Sequence, residues 1–511
     1  MEYMSYSSTR GGKEKLRASE AILKGLAADG GLFMPERIPE FDFDLYSLKE
    51  SSYQEVAYEV MKLFLDDYSK EELLYCIENA YDDKFDTKNI CELKKTEDAY
   101  CLELFHGSTI AFKDMALSIL PYLLTTAMKK HNINKKIVIL TATSGDTGKA
   151  AMAGFADVEG TEIIVFYPKG GVSKIQELQM LTQKGENTHV VSVHGNFDAA
   201  QSGVKEIFND TEFVDYLSSN NIQISSANSI NIGRLVPQIV YYVYSYLQLV
   251  KAGEIKEGEL INICVPTGNF GNILAAYIAK IMGLPVNKLL CASNDNKVLY
   301  DFFASGIYDK NREFILTSSP SMDILISSNL ERLLYLAAAK DSAKVKALMD
   351  GLSKQGEYRI DESMKSFLSD FVGLYAGEED QRKAIKSVYD RDGYVLDTHT
   401  AVAYAAYEDY RRSTGDEHKT VIASTASPYK FSRSVVFAIE GKKSEEWESV
   451  EKLEALSKVK IPAAVEEVRN AQIRHDIECD IEDMKNVERF GKSGLEISKK
   501  YLFVDKEKIK N

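Results

Sequence analysis

Leu260-Ile261-Asn262-Ile263-Cys264-Val265 runs straight into Pro266-Thr267-Gly268-Asn269-Phe270-Gly271-Asn272 and then into Ile273-Leu274-Ala275-Ala276-Tyr277-Ile278-Ala279-Lys280. A β-branched run, a glycine-punctuated turn and an apolar, alanine-rich segment read as strand, tight turn and helix, one βα unit. Glycines in the turn let a ligand approach the backbone closely. Successive amides at a helix N-terminus offer donors and a positive dipole end to an anion, with no lysine needed. The plainer reading of so short a pattern is a mere connection.

The same alternation extends outward. Ile137–Leu140, Ile163–Phe166, His189–Val193, Gln223–Ser226, Leu289–Ala292 and Val421–Ser424 are further strand candidates, separated by helical patterns. This predicts an α/β fold with mostly parallel sheets, whose ligands sit beyond the strand C-termini. Residues 1–97 lack that alternation and predict a mainly helical lobe, with Gly30–Pro35 as a turn. Residues 98–240 read as a small α/β domain and 241–440 as a large one, interrupted near 322–388 by a helical insertion without strand signal. Residues 441–511, rich in Lys and Glu and holding the single tryptophan, Trp447, read as a solvated helical appendage.

Composition narrows the function. A chain of 511 residues with 45% hydrophobic content can bury a large core, and its net charge of −15 argues against nucleic acid and anionic membranes as partners. Six cysteines form no Cys-x-x-Cys pair and seven histidines show no ligand spacing, so neither a disulfide framework nor a metal site is expected. The start, Met1-Glu2-Tyr3-Met4-Ser5, has no signal-peptide pattern, and no long apolar stretch suggests a membrane span. The expected location is cytoplasmic.

Several clusters carry chemistry. Lys113 lies in His106-Gly107-Ser108-Thr109-Ile110-Ala111-Phe112-Lys113-Asp114-Met115, an ammonium among apolar neighbours. Burial would lower its pKa and free an amine to attack a carbonyl or move protons, although a snorkelling surface lysine is the bland alternative. Thr141-Ala142-Thr143-Ser144-Gly145-Asp146-Thr147-Gly148-Lys149-Ala150 resembles a P-loop but fails its spacing, since Thr143 stands where the first glycine belongs and Ala150 replaces the Ser/Thr. Its hydroxyls suit a small polar ligand or helix caps. Ser225-Ser226-Ala227-Asn228-Ser229-Ile230-Asn231-Ile232-Gly233-Arg234 leads into a tyrosine-rich helix, and Arg234 is an anion candidate. Thr425 follows a strand end, where a cofactor ring could rest. Reactive lysine, phosphate loop and strand-end hydroxyl together ask for pyridoxal phosphate.

With these motifs in hand, the chain resembles the threonine synthase family, pyridoxal-phosphate enzymes of the tryptophan-synthase-β superfamily (fold type II). The resemblance runs from Ser8-Thr9-Arg10-Gly11 and Gly25–Leu32 through His106–Leu117, Thr141–Lys149, Asn228–Leu235 and Gly268–Asn272 to His399–Tyr404. It implies that Lys113 forms the internal aldimine, that Gly268, Asn269, Phe270, Gly271 and Asn272 hold the cofactor phosphate, and that Thr425 meets the pyridine nitrogen. Asp146 stands where related enzymes place an asparagine against the cofactor's 3′-oxygen. The implied reaction converts O-phospho-L-homoserine and water to L-threonine and phosphate, with Thr143, Ser144, Ser229 and Arg234 for the substrate phosphate and Thr109 for its carboxylate. The alternative is a phospholyase releasing phosphate and a 2-oxo acid. A monomer or homodimer is expected. Ser108, Thr398 and Ser427 depart from the family pattern of Pro, Pro and His.

Overall fold

The computed structural model describes residues 3–143, 145–195 and 197–484. The molecule is α/β and is built around two largely parallel sheets. The larger is six-stranded, in the order Phe371–Tyr375, Val286–Ser293, Ile261–Pro266, Thr420–Ser424, Tyr100–Glu103, Glu92–Lys95, with only the last strand antiparallel. The second is five-stranded and all parallel, in the order Ile477–Asp480, Thr188–His194, Thr161–Pro168, Lys136–Ala142, Ile222–Ser225. Every residue of Ile261–Pro266 and Thr161–Pro168 is buried, as strands covered by helices on both faces must be.

Each strand predicted from the sequence is present, and the structure adds several. The expected helical insertion at 322–388 contains the strand Glu357–Arg359, paired to Ile307–Asp309, and the edge strand Phe371–Tyr375, beside Val286–Ser293. Phe371-Val372-Gly373-Leu374-Tyr375 is short and carries a glycine, so its pairing comes from the neighbouring strand and not from a local pattern. The N-terminal lobe holds the expected helices, including Tyr53–Met61 and Lys70–Ala80, each opened by a serine-glutamate capping box. It also holds a three-stranded antiparallel sheet of Tyr6–Ser8, Lys15–Leu16 and Phe33–Pro35, so Gly30–Pro35 is more than a turn. Positions 97 and 98 fall inside the hairpin of Glu92–Lys95 and Tyr100–Glu103. The C-terminal segment is helical at Glu446–Ser457 and Ala463–Arg469, but Ile477–Asp480 then extends the five-stranded sheet; residues 485–511 lie outside the described part.

The two sheets meet through helices. Asp114–Leu117, directly after Lys113, packs on Asp146–Phe155, which follows the strand Lys136–Ala142. They pack closely at Gly154, where a Cβ would lie 2.2 Å from the Leu117 carbonyl oxygen. Alanine normally stabilises a helix over glycine by about 1 kcal/mol. Here Gly154→Ala is expected to destabilise by about 1–2 kcal/mol, because the obstacle is backbone. A fall in the urea midpoint at unchanged slope checks this, and a rise would contradict the close approach.

Candidate active site

The strands Ile261–Pro266, Thr420–Ser424 and Tyr100–Glu103 are neighbours in the larger sheet, and from their C-terminal ends come the Gly268 loop, Thr425 and the segment leading to Lys113. That segment is sewn to the strand beside it. The Leu104 N–H donates to the Ser424 carbonyl (3.0 Å), Phe112 N–H to the Thr425 carbonyl (2.8 Å) and Ser427 N–H to the Ile110 carbonyl (3.0 Å). Ile110 has φ +50°, a left-handed conformation that costs a β-branched residue about 1–3 kcal/mol and that these bonds impose.

Lys113 reaches across to the smaller sheet. Its Nζ lies 3.4 Å from Asp146 Oδ2 and 3.5 Å from Ser321 Oγ. Asp146 opens the helix Asp146–Phe155, and both of its carboxylate oxygens are fully engaged. Oδ1 accepts from Lys430 Nζ (2.7 Å) and Gln176 Nε2 (2.8 Å); Oδ2 accepts from Ser321 Oγ (3.0 Å) and takes the Lys113 contact. Burial lowers the Lys113 pKa and Lys430 and Arg234 push it further down, against the pull of Asp146. Burial alone would raise the Asp146 pKa, but Lys430, Lys113 and the hydrogen bonds hold it well below the usual carboxylate range.

The Gly268 loop is packed for close approach. A Cβ on Gly268 would sit 2.3 Å from the Ser321 carbonyl oxygen, and the Gly268 carbonyl accepts from Ser327 Oγ at 2.6 Å. The Asn269 carbonyl accepts from the Asn329 backbone and side-chain amides, each at 3.0 Å. Phe270 takes φ +65° just before Gly271 opens the helix Gly271–Met282, so the first free amides face the loop. Asn272 Oδ1 accepts from the hydroxyls of Tyr241 (2.7 Å) and Tyr242, leaving its buried Nδ2 without a partner among the described residues. An unpartnered buried donor beside free helix amides is the arrangement an anion completes.

The remaining residues singled out by sequence divide into two groups. Arg234 is buried, donates from Nη1 to the Ala227 carbonyl (2.7 Å), leaves Nε unpartnered and is lowered by burial to about 10. Thr425 is buried at the strand end, and no hydrogen bond from its hydroxyl is found among the described residues. Thr143 Oγ1, by contrast, accepts from the amides of Gly145 (3.0 Å) and Gly148 (2.8 Å), and Thr109 gives its N–H and hydroxyl to Asp114 (2.8 and 2.6 Å). The Thr109 hydroxyl is thereby given to Asp114, whereas Thr143 only accepts in its two bonds and keeps its hydroxyl proton to donate. Ser229 is half-buried on the turn before the helix Ile232–Lys251; Ser144 lies outside the described residues.

Sequence reasoning missed Lys430, Gln176 and Ser321. Lys430 carried a usable signal, a lysine between Tyr429 and Phe431 just past strand-end hydroxyls, the same oddity as Lys113. Ser321 gave none, since its segment read as the edge of an insertion. Its backbone N–H is held by His399 Nε2 (3.1 Å), whose Nδ1 faces Asp397 Oδ1 (3.0 Å).

Comparison with known proteins follows this geometry. Residues 5–81 match the family described as threonine synthase N terminus, 92–426 that of pyridoxal-phosphate dependent enzymes, and 400–475 that of the threonine synthase C-terminal part. Threonine synthase of Schizosaccharomyces pombe is 38% identical, covering 85% of this chain and 89% of its own. Human threonine synthase-like 1 is 39% identical over 84% of this chain, which spans 59% of the human protein's length. A pyridoxal-phosphate-bound threonine synthase from Brucella melitensis superposes with TM-score 0.82 at 36% identity, covering 94% of this chain and 97% of its own.

The approach to Lys113 begins at His106, pinned between Asp86 Oδ1 (2.5 Å) and Glu103 Oε2 (3.0 Å). Burial would lower its pKa, but the two carboxylates outweigh burial and raise it to about 9 from 6.5. A raised folded pKa gives stability that is complete below about pH 6.5 and is lost as pH climbs through about 9. The urea midpoint should therefore fall over that window, by up to about 3 kcal/mol of stability, and His106→Gln should flatten the fall.

Proposed function

This chain belongs to the threonine synthase family of pyridoxal-phosphate-dependent enzymes, and on that premise we propose that it converts O-phospho-L-homoserine and water to L-threonine and inorganic phosphate. The observation that carries the reading is Lys113: an amine with a lowered pKa, beside Asp146 and Ser321, at the strand ends where the Gly268 loop and Thr425 also converge.

The residues fit the cofactor. Gly268 to Asn272 would hold its phosphate through free helix amides and the unpartnered Asn272 Nδ2, and Thr425 would offer a neutral hydroxyl to the ring nitrogen. When bound, pyridoxal phosphate supplies an aldehyde for the lysine and a ring that takes up electrons released at the substrate's α-carbon. Lys113 Nζ then takes and returns protons at the substrate's α- and β-carbons. Ser321 Oγ and Asp146 Oδ2 fix the position of that nitrogen. Asp146, with both oxygens already engaged by Lys430, Gln176, Ser321 and Lys113, is read as the anchor of these side chains in preference to a partner of the ring oxygen. Arg234, with a buried Nε unpartnered among the described residues, is assigned to the substrate phosphate, and Ser229 stands on the turn that leads into the same helix. Thr109 is assigned to position the Lys113 loop, since its donors are already given to Asp114.

Six buried, unpaired cysteines support a cytoplasmic location, and no helix among the described residues is long and apolar enough to cross a membrane. The protein is proposed to act as a monomer or homodimer.

Incubation of the purified protein with pyridoxal phosphate and O-phospho-L-homoserine should yield threonine and phosphate in equal amounts. Lys113→Ala should lower both by at least about 10³-fold. Phosphate accompanied by 2-oxobutyrate in place of threonine would establish the phospholyase reaction instead, and release of neither product would refute the reading.

A further inference from the structure

We propose that Lys430 is a positioning residue whose buried ammonium occupies the Asp146 carboxylate, leaving the Lys113 ammonium as the surplus cation of the site. The proposal rests on the assignment of Lys113 as the reacting amine and concerns how that amine comes to be free of its proton.

The Lys430 side chain is 0% exposed and that of Asp146 4%, so neither charge has water to fall back on. Lys430 Nζ sits 2.7 Å from Asp146 Oδ1 and 3.0 Å from the Thr109 carbonyl oxygen, both good hydrogen-bond distances. Lys113 Nζ is held more loosely among the described residues, 3.4 Å from Asp146 Oδ2, 3.5 Å from Ser321 Oγ and 4.7 Å from the centre of the Phe112 ring. One carboxylate thus faces two ammonium groups, and it holds Lys430 the more tightly.

The surroundings do not restore the balance. Lys113 is faced by Asp146 from the helix Asp146–Phe155, by Lys430 from the turn Pro428–Phe431 and by Arg234 from the helix Ile232–Lys251. Asp114, whose oxygens accept from Thr109, acts on Lys430 and on Lys149, and Glu467 acts on Lys149. Asp146 is therefore the only carboxylate bonded to Lys113 among the described residues, and it is shared. In a dry site an excess cation is relieved most cheaply at the amine with the poorest hydrogen bonds. That amine is Lys113. Burial lowers its pKa, and Lys430 adds to the lowering.

A purely structural Lys430 would merely tie the Thr109 turn to Asp146, and two substitutions separate the possibilities. Lys430→Gln keeps hydrogen-bonding capacity without charge; Lys430→Arg keeps the charge. The direct readout is the reactivity of Lys113 in the cofactor-free protein, by brief acetic anhydride labelling across pH with peptide mass spectrometry. Lys430→Gln should move the labelling midpoint up by about one pH unit, so that at a fixed pH below it Lys113 labels about tenfold less. Lys430→Arg should leave it near the parent value. Asp146→Asn should move it down. In the loaded enzyme the acid limb of kcat/KM against pH should move up with Lys430→Gln.

An unmoved or lowered midpoint in a folded Lys430→Gln protein overturns the proposal. Should that variant fail to fold, Asp146→Asn decides, because an unmoved or raised midpoint there is equally fatal. Labelling uses neither substrate nor cofactor. Shifted labelling without threonine formation would therefore defeat the functional reading alone, and threonine formation with unmoved labelling would defeat the role of Lys430 alone.

Discussion

Burying the Asp146 carboxylate is the constraint on which the site depends. Taking an ion out of water costs several kcal/mol even after relaxation, and removing one partner of a buried pair costs about 3–5 kcal/mol. Asp146 must therefore be met from every side at once. Lys113 and Lys430 come from the larger sheet, Gln176 from the helix Lys174–Leu181 after the strand Thr161–Pro168, and Ser321 from the segment ahead of the edge strand Phe371–Tyr375. One carboxylate thus fixes four otherwise distant pieces of chain. What it contributes is less net stability than uniqueness, since a displaced strand or helix would strand a charge in a dry interior.

Much of this was legible in the sequence, for physical reasons. Strands buried on both faces read as continuous β-branched runs, so the central members of both sheets stand out, and glycine turns mark their C-terminal ends. Lys113 stood out because an ammonium among apolar residues is costly. The strands Phe371–Tyr375 and Ile477–Asp480 did not stand out, because each lies at a sheet edge and is specified by its partner. Hydroxyls were the least legible. Thr109 looked like a ligand donor and gives both of its donors to Asp114, a distinction that composition and spacing do not carry.

At the three positions where the resemblance implies Pro, Pro and His, the structure shows what the residues present do. Ser427 contributes its N–H to the Ile110 carbonyl and opens the turn that carries Lys430, functions that depend on main-chain position more than on a side-chain ring. Ser108 is exposed. Thr398 lies buried at the start of the helix Thr398–Thr414, capped by Asp397, and its carbonyl accepts from Gln381 Nε2 at 2.8 Å.

The stitching of the Lys113 segment to the strand and turn at 420–431 also sets a schedule. The Thr109 carbonyl is bonded to a lysine 321 residues further along the chain. At about 5–20 residues per second of synthesis, those 321 residues take on the order of 16–64 s to appear. Throughout that interval the nascent chain has its lysine but lacks both the strand and turn that hold the Ile110 segment and the second ammonium on Asp146. On the role proposed for Lys430, the amine acquires its reactivity only once residue 430 has been made, and a product truncated before it would carry an ordinary lysine.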